Sequence, residues 1–375
     1  MAVLDSPLTS YSDTTPQKRM ITDVISLIDP FDAPLIEALG GLDGASGKFR
    51  FVNEKETVCE WLEDTLNPID TADGLNGSIA STVTTITVND ASELSIGDII
   101  LIDSEYMWVS SIGASEVVTV TRAFQGSSAS HADAVAYAIV GQARLEGAES
   151  SAQPFTDRTT GSNATQIMHK EIKVSRTQRQ IAQYGIADEF LYQQNKAVPE
   201  LMRLLERHFY NNSAAKAGSA TTPRAMAGEQ AFITGNVTTG ASLAQSQFEN
   251  AVKLAFNDGG MGPWTAALHA DNLQKVKNFY DSSNFLRVDR AEQTVGMVIE
   301  SVLTPYGVVD LLLDRWAKST RIPLIDPKHA GFKTFYPFTF EPLAKAGDYD
   351  KGEMVGEFTL CLRQGNAHAV LTAVT

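Results

Sequence analysis

The chain has 375 residues, 43% hydrophobic and 20% charged, with 45 Asp and Glu against 30 Lys and Arg for a net charge of −15. That length and apolar content support two or three domains around a sizeable core and exclude global disorder. The acidity excludes broad binding to phosphate backbones, which needs a Lys/Arg-rich face, and suits a soluble protein that resists unspecific association.

Residues 1–14 are small and polar and read as an extended arm. Thr14 and Thr15 before Pro16 supply a helix start. Met20, Ile21, Val24, Ile25 and Ile28 give that helix an apolar face, which Asp29-Pro30 stops. Asp32–Glu37 restarts a short helix ending at Gly40-Gly41. Gly44–Gly47 predicts a turn and Lys48–Trp61 a strand, with Glu60, Glu63 and Asp64 at its acidic far end.

Residues 75–142 change character. Val83–Val88, Ile99–Ile102, Met107–Val109, Val117–Val120 and Val135–Ile139 predict five short strands separated by Gly, Asn, Asp and Ser turns. They make an all-β module of roughly 65 residues, a small barrel or sandwich.

His169–Arg176 predicts a polar strand carrying Lys170, Lys173 and Arg176, with Arg179 just beyond. So much positive charge in an acidic chain requires a partner. Antiparallel pairing with the Lys48–Trp61 strand would supply Glu54, Glu56 and Glu60. The 75–142 module would then sit at the tip of a long two-stranded arm, marginal alone and in need of another chain to lie on. Leu201, Leu204, Leu205, His208 and Phe209 recur at helical spacing opposite Arg203, Glu206 and Arg207 and predict a long helix.

Beyond it the pattern predicts a helix over Ser246–Phe256, a strand over Trp264–His269 and a helix capped by Asp271 that runs through Tyr280. Val295–Leu303 and Val308–Leu313 predict a hairpin about Thr304–Gly307. Ile322–Ile325 is short and apolar, and Glu357–Arg363 and Ala367–Val374 predict terminal strands.

No motif carries chemistry. Gly44-Ala-Ser-Gly47-Lys48 fails as a phosphate loop, because Leu42 occupies the required glycine position and Phe49 the Ser/Thr position. Among His131, His169, His208, His269, His329 and His368, no two lie three to five residues apart, so no helical zinc motif exists. His208 falls on the apolar helix face and reads as a core histidine. His131-Ala-Asp133 lies in a Ser/Ala-rich turn region and reads as structural. Asp188-Glu189 reads as an acidic first helical turn, and Glu63-Asp64 supports no glycosidase inference. There is no GxSxG elbow. Aromatics are 8% and not interleaved with Lys/Arg, so no stacking surface for single strands is indicated. No catalytic, cofactor-binding or metal-binding residue is assigned. Cys59 and Cys361 lie far apart in sequence, each in a strand-like run; they give no disulfide framework and no CxxC site, and are expected as buried thiols in a reducing cytoplasm. The N-terminus is no signal peptide, and no run approaches ~18 apolar residues, the length of a membrane span.

Several runs resemble one branch of the major capsid proteins of tailed phages, which share the HK97-like (Johnson) fold. They are Lys18–Leu35, Val174–Gln178 with Tyr184–Phe190, and Leu343–Asp348 with Gly356–Leu360. Ile96–Met107 with Val120–Gly126 resembles a β-module of phage virion proteins. The resemblance covers most of the chain, though residues 214–340 match by element order more than by wording. It implies an α+β capsid fold with an N-terminal arm (1–45), an extended loop (46–74 and 143–183) and an all-β domain inserted in that loop (75–142). It further implies a peripheral domain (184–239 and 336–375) with a spine helix at about 186–213, and an axial domain (240–335). The function it implies is non-enzymatic self-assembly into hexamers and pentamers of an icosahedral shell that encloses double-stranded DNA without strong specific binding. The implied location is the virion, assembled in the host cytoplasm. Portal, scaffolding and decoration proteins are candidate further partners; no cofactor and no membrane are expected. An encapsulin-like compartment or a phage tail protein is the alternative. Some relatives carry inter-subunit isopeptide links; Lys48 and Lys55 lie in the loop, but no local signature marks either. The Met1 start sets the expectation that no N-terminal scaffolding segment has been removed.

Overall fold

The computed structural model describes residues 32–42, 56–149, 154–281 and 300–372. The expected helix over Met20–Ile28, the Gly44–Gly47 turn, Lys48, Glu54, Lys55 and the start of the Val295–Leu303 strand lie outside the described residues. In chain order the elements are α1 (Pro34–Ala38), β1 (Val58–Glu63), β2 (Asp70–Gly74), β3 (Thr85–Thr87), β4 (Asp98–Ile102), β5 (Glu105–Ile112), β6 (Val117–Gln125) and β7 (Ala136–Gln142). Then come β8 (Thr159–Ala164), β9 (Gln166–Ser175), α2 (Arg176–Gln180), α3 (Glu189–Asn211), α4 (Glu229–Phe232), β10 (Val237–Thr239) and α5 (Gln245–Asn257). The remainder are β11 (Trp264–Leu268), α6 (Ala270–Asp281), β12 (Glu300–Thr304), β13 (Gly307–Leu313), β14 (Arg321–Ile325), β15 (Ala330–Pro342), β16 (Tyr349–Leu362) and β17 (Ala369–Thr372).

The chain divides into two compact units, Met1–Trp61 with Gly161–Thr375, and Leu62–Thr160. In the first unit a six-stranded mixed sheet runs β10-β17-β14-β11-β13-β12. All five residues of β11 are buried, which requires cover on both faces. Strand alternation sorts the side chains accordingly. Trp264, Ala266, Leu268, Val309, Leu311, Ile322, Leu324, Ala369 and Leu371 join α5 and α6 in one core. Ala267, Leu312, Ile325 and Val370 point the other way, into a second core shared with α3 and a three-stranded sheet, β15-β16-β9. In α3 the buried residues Ala197, Leu201, Leu205 and Phe209 recur every fourth position, one ridge laid on Met168, Ile172 and Val174 of β9 and on Phe358 and Leu360 of β16.

The second unit is built on an antiparallel sheet, β2-β7-β4-β5-β6-β3. An isolated bridge between Leu75 and Val88 joins the ends of the two edge strands, so the sheet curls on itself around Ile86, Ile100, Ile102, Met107, Val109, Val118, Val120 and Tyr137. The five strands expected in 75–142 all form; β2 adds a sixth.

The largest departure from expectation concerns the basic strand. β9 does not pair with the strand that ends at Trp61. It pairs antiparallel with β16, Lys173 opposite Lys351 and Ser175 opposite Tyr349, while β1 pairs with β8. Residues 166–175, expected in the extended loop, thus belong to the sheet under α3. β17 likewise lies beside β14 in the six-stranded sheet and not with β15 and β16.

Candidate functional site

Among the described residues no group of three or more His, Cys, Asp and Glu is placed to hold a metal ion, and no helix is long and apolar enough to cross a membrane.

The four basic residues of the β9 region each meet a partner within the chain. Lys170 shares the inner face of β9 with Met168 and Ile172 and forms an ion pair with Glu200 of α3. The Lys173 ammonium lies 3.8 Å from the centroid of the Tyr349 ring. Arg176 meets Asp348 at 3.0 Å, and Arg179 bridges Asp350 at 2.6 Å and Asp188 at 2.9 Å. Lys345 and Arg179 together hold the Asp350 carboxyl below the usual carboxylate range. The acidic partner is thus the turn before and into β16, not Glu56 or Glu60. Asp188 also caps α3 by accepting the Phe190 N–H at 2.9 Å, and Glu189 stands in the first turn, as its sequence context predicts.

A second joint fixes the described part of the N-terminal segment. α1 buries Leu35, Ile36 and Leu39 in the α3 core. The Leu35 N–H donates to Glu206 Oε1 at 2.5 Å, Tyr210 O–H donates to Asp314 at 2.5 Å, and Trp316 Nε1 donates to the Asp32 carbonyl at 3.0 Å. Burial and then Asp314 push the Glu206 carboxyl up to about 10; burial also raises Asp314.

In the second unit, Glu105 is buried and accepts from Arg122 Nε and Nη2 at 2.8 and 2.7 Å, from the Ala123 and Ala129 N–H groups at 3.0 and 2.8 Å, and contacts His131 Nε2 at 3.0 Å. Burial opposes ionisation, yet Arg122, the amides and His131 prevail and bring Glu105 down to about 2. Arg122 spends its other donors on the Ala80, Val83 and Ala129 carbonyls. His131 therefore joins Asp103 and Glu105, whereas Asp133 accepts the Gly77 N–H at 2.7 Å. The network locks three turns together.

Of the other histidines, His329 Nε2 lies 4.0 Å from Asp326, whose N–H bonds His368. His208 is bracketed by Gln166 at 3.0 Å and Asn212 at 3.1 Å. His368 is fully buried, accepts the Asp326 N–H at 3.0 Å through Nδ1 and donates from Nε2 to the Arg363 carbonyl; burial lowers it to about 4, so it is neutral.

The chain entering and leaving the second unit carries large apolar side chains in solvent. Leu66 is 93% exposed and Phe155 84%, joined by Leu62, Ile69 and Leu145. Side chains tie the two segments: Asn67 Nδ2 donates to the Pro154 carbonyl at 2.6 Å, Thr156 Oγ1 to the Thr65 carbonyl, and Arg158 meets Asp64 at 3.4 Å. Sequence reasoning singled out none of these residues. Leu62, Leu66 and Ile69 fall at i, i+4 and i+7, the spacing of a helical face, yet no helix forms there.

Comparison with known proteins gives one family. The model described as SU10 major capsid protein matches residues 8–375. No curated protein sequence matches the chain. The fold is similar to the Cyanophage A-1(L) capsid asymmetric unit at 12% identity and a TM-score of 0.53, covering 98% of this chain and 100% of that one. It is also similar to a chain of Mycobacterium phage Bobi at 10% identity and a TM-score of 0.50, covering 98% and 99%. The mixed helix and sheet fold is thus similar to those of HK97-like phage capsids.

Proposed function

The chain belongs to the SU10 major capsid protein family and is a tailed-phage major capsid protein, and from that premise we propose that it assembles into the hexamers and pentamers of an icosahedral shell around double-stranded DNA. Its work is interface burial and not catalysis. Leu62–Thr160 acts as an extended loop bearing an all-β domain, and the apolar residues at its root lie on a neighbouring subunit. The N-terminal arm reaches a second neighbour. The net charge of −15 fits a lining that lets the genome slide during packaging and release.

The observation that carries this reading beyond family membership is the exposure of Leu66 and Phe155 on a hydrogen-bonded segment. Large apolar side chains left in solvent suit a surface that another molecule covers, and in a closed lattice that molecule is a second copy. The test replaces residues 62–160 with a short Gly/Ser linker, leaving β9 in its sheet. A folded chain that forms no shells is expected; closed particles by electron microscopy would refute the assigned role of the loop. Co-purification with a single enzyme cargo instead of DNA would favour a compartment.

A further inference from the structure

The two cysteines of the chain are 302 residues apart in sequence, and their Sγ atoms lie 2.9 Å apart. Both belong to the first compact unit. We propose that Cys59 and Cys361 form a reversible intrachain cross-link, a redox staple that ties β1 to the central strand of the β15-β16-β9 sheet when the protein meets a low-molecular-weight disulfide. The proposal goes beyond the shell-forming role and does not depend on it.

The approach of the sulfurs is imposed by the backbone and not by the thiols. Thr165 donates from N and Oγ1 to the Thr57 carbonyl at 2.9 and 3.1 Å, two residues before Cys59. Asn163 Nδ2 donates to the Leu360 carbonyl at 2.7 Å, next to Cys361, and Thr359 Oγ1 donates to the Ala164 carbonyl at 2.9 Å. Residues 163–165 therefore serve as a strut that holds the two cysteine-bearing strands together. The Trp61 ring lies over Gly161, where a Cβ would come within 2.4 Å of it, so the strut is also fixed sterically at the β1 end. Closing the bond would shorten the sulfur separation from 2.9 Å to about 2.05 Å.

The two thiols are unequal in a way that assigns their roles. Cys59 is half-buried and reachable, whereas Cys361 is buried. The Cys361 hydrogen bond, with Lys333 and Arg363 nearby, lowers Cys59 against its burial; Cys59 and burial raise Cys361. Thiolate, not thiol, is the attacking species. Cys59 thiolate attacks one sulfur of glutathione disulfide, forming a mixed disulfide and releasing one glutathione thiolate. Cys361 then gives up its proton, its sulfur attacks Cys59 Sγ, and the second glutathione leaves as a thiolate. Two protein thiols are oxidised by two electrons, and one disulfide oxidant is reduced to two thiols. In a thiol-rich reducing medium the reverse exchange keeps the pair open.

The test treats the purified full-length chain with glutathione disulfide and follows intact mass, free thiols and a non-reducing peptide map. Expected are a mass loss of two hydrogen atoms, disappearance of both titratable thiols and a linked pair of peptides containing Cys59 and Cys361, all reversed by dithiothreitol. Cys361→Ala should instead trap one glutathione on Cys59, and Cys59→Ser should take up none in the folded state. A persistent glutathione adduct on the wild-type chain, disulfide-linked subunit dimers, or two thiols still free would each overturn the staple.

Discussion

The Leu35 backbone N–H donates to the Glu206 carboxyl at 2.5 Å across 171 residues of sequence. This contact pins the described end of the N-terminal segment to α3, and it does so with a carboxyl that burial and Asp314 raise to about 10. The folded state thus keeps a proton that the unfolded chain releases above ~4.3. The stability from this neutral carboxyl is full below that value and is lost as pH rises toward 10. Glu206→Gln keeps an acceptor for Leu35 and removes the titration, so its melting temperature should fall less steeply from neutral to alkaline pH than that of wild type. Glu206→Ala orphans the buried Leu35 N–H and should cost about 1–3 kcal/mol at low pH, less as the wild-type carboxyl ionises. Parallel pH curves for wild type and Glu206→Gln would contradict the assignment.

Glu105 is the opposite case. Its carboxyl is held down to about 2 in the fold, so the stability it contributes is present above the unfolded value of ~4.3 and is lost as pH falls toward 2. Glu105→Ala leaves Arg122 as an uncompensated buried charge and should destabilise the second unit by about 3–5 kcal/mol. Hydrogen exchange should show faster opening of β4 to β7 with little change in α3.

The basic strand offers a test of pairing. Asp348→Asn with Asp350→Asn removes carboxylate partners of Arg176 and Arg179 and should lower the melting temperature, more at low salt than at high. Glu56→Gln with Glu60→Gln should leave it unchanged. The reverse order would restore the strand pairing that charge patterning alone favoured.

How far the sequence could be read follows from the range of each interaction. α3 was legible because Leu201, Leu205 and Phe209 repeat within one element, although Leu204, which shares the pattern, is largely exposed. The β-module was legible because its turns and strands recur locally. The partner of β9 was not, because the chain contains two acidic candidates and electrostatics does not choose between Glu56–Glu60 and Asp348–Asp350; the sheet does, through Met168, Ile172 and Val174 beneath α3. β15 was missed because Gly331, Pro337 and Pro342 obscure alternation, and its ladder shifts register between Thr334 and Thr339. The meeting of Cys59 with Cys361 had no local signal at all. Leu66 and Phe155 were missed as well, because only the fold shows which apolar side chains stay in solvent.

Those two residues should separate folding from assembly. Leu66→Ser with Phe155→Ser removes apolar surface that already faces water in the single chain, so thermal stability of the unassembled subunit should change by no more than ~0.5 kcal/mol. Shell yield by sedimentation should collapse. A double variant that assembles at wild-type yield would show that these side chains are not covered by a neighbour.

The most direct test of the shell-forming role is electron cryo-microscopy of the purified full-length chain under assembling conditions. Closed icosahedral particles are expected, with five-fold and six-fold clusters of this subunit and with Leu66 and Phe155 buried against an adjacent copy. Discrete monomers or trimers, or closed particles in which the Leu62–Thr160 unit touches no neighbour, would contradict it.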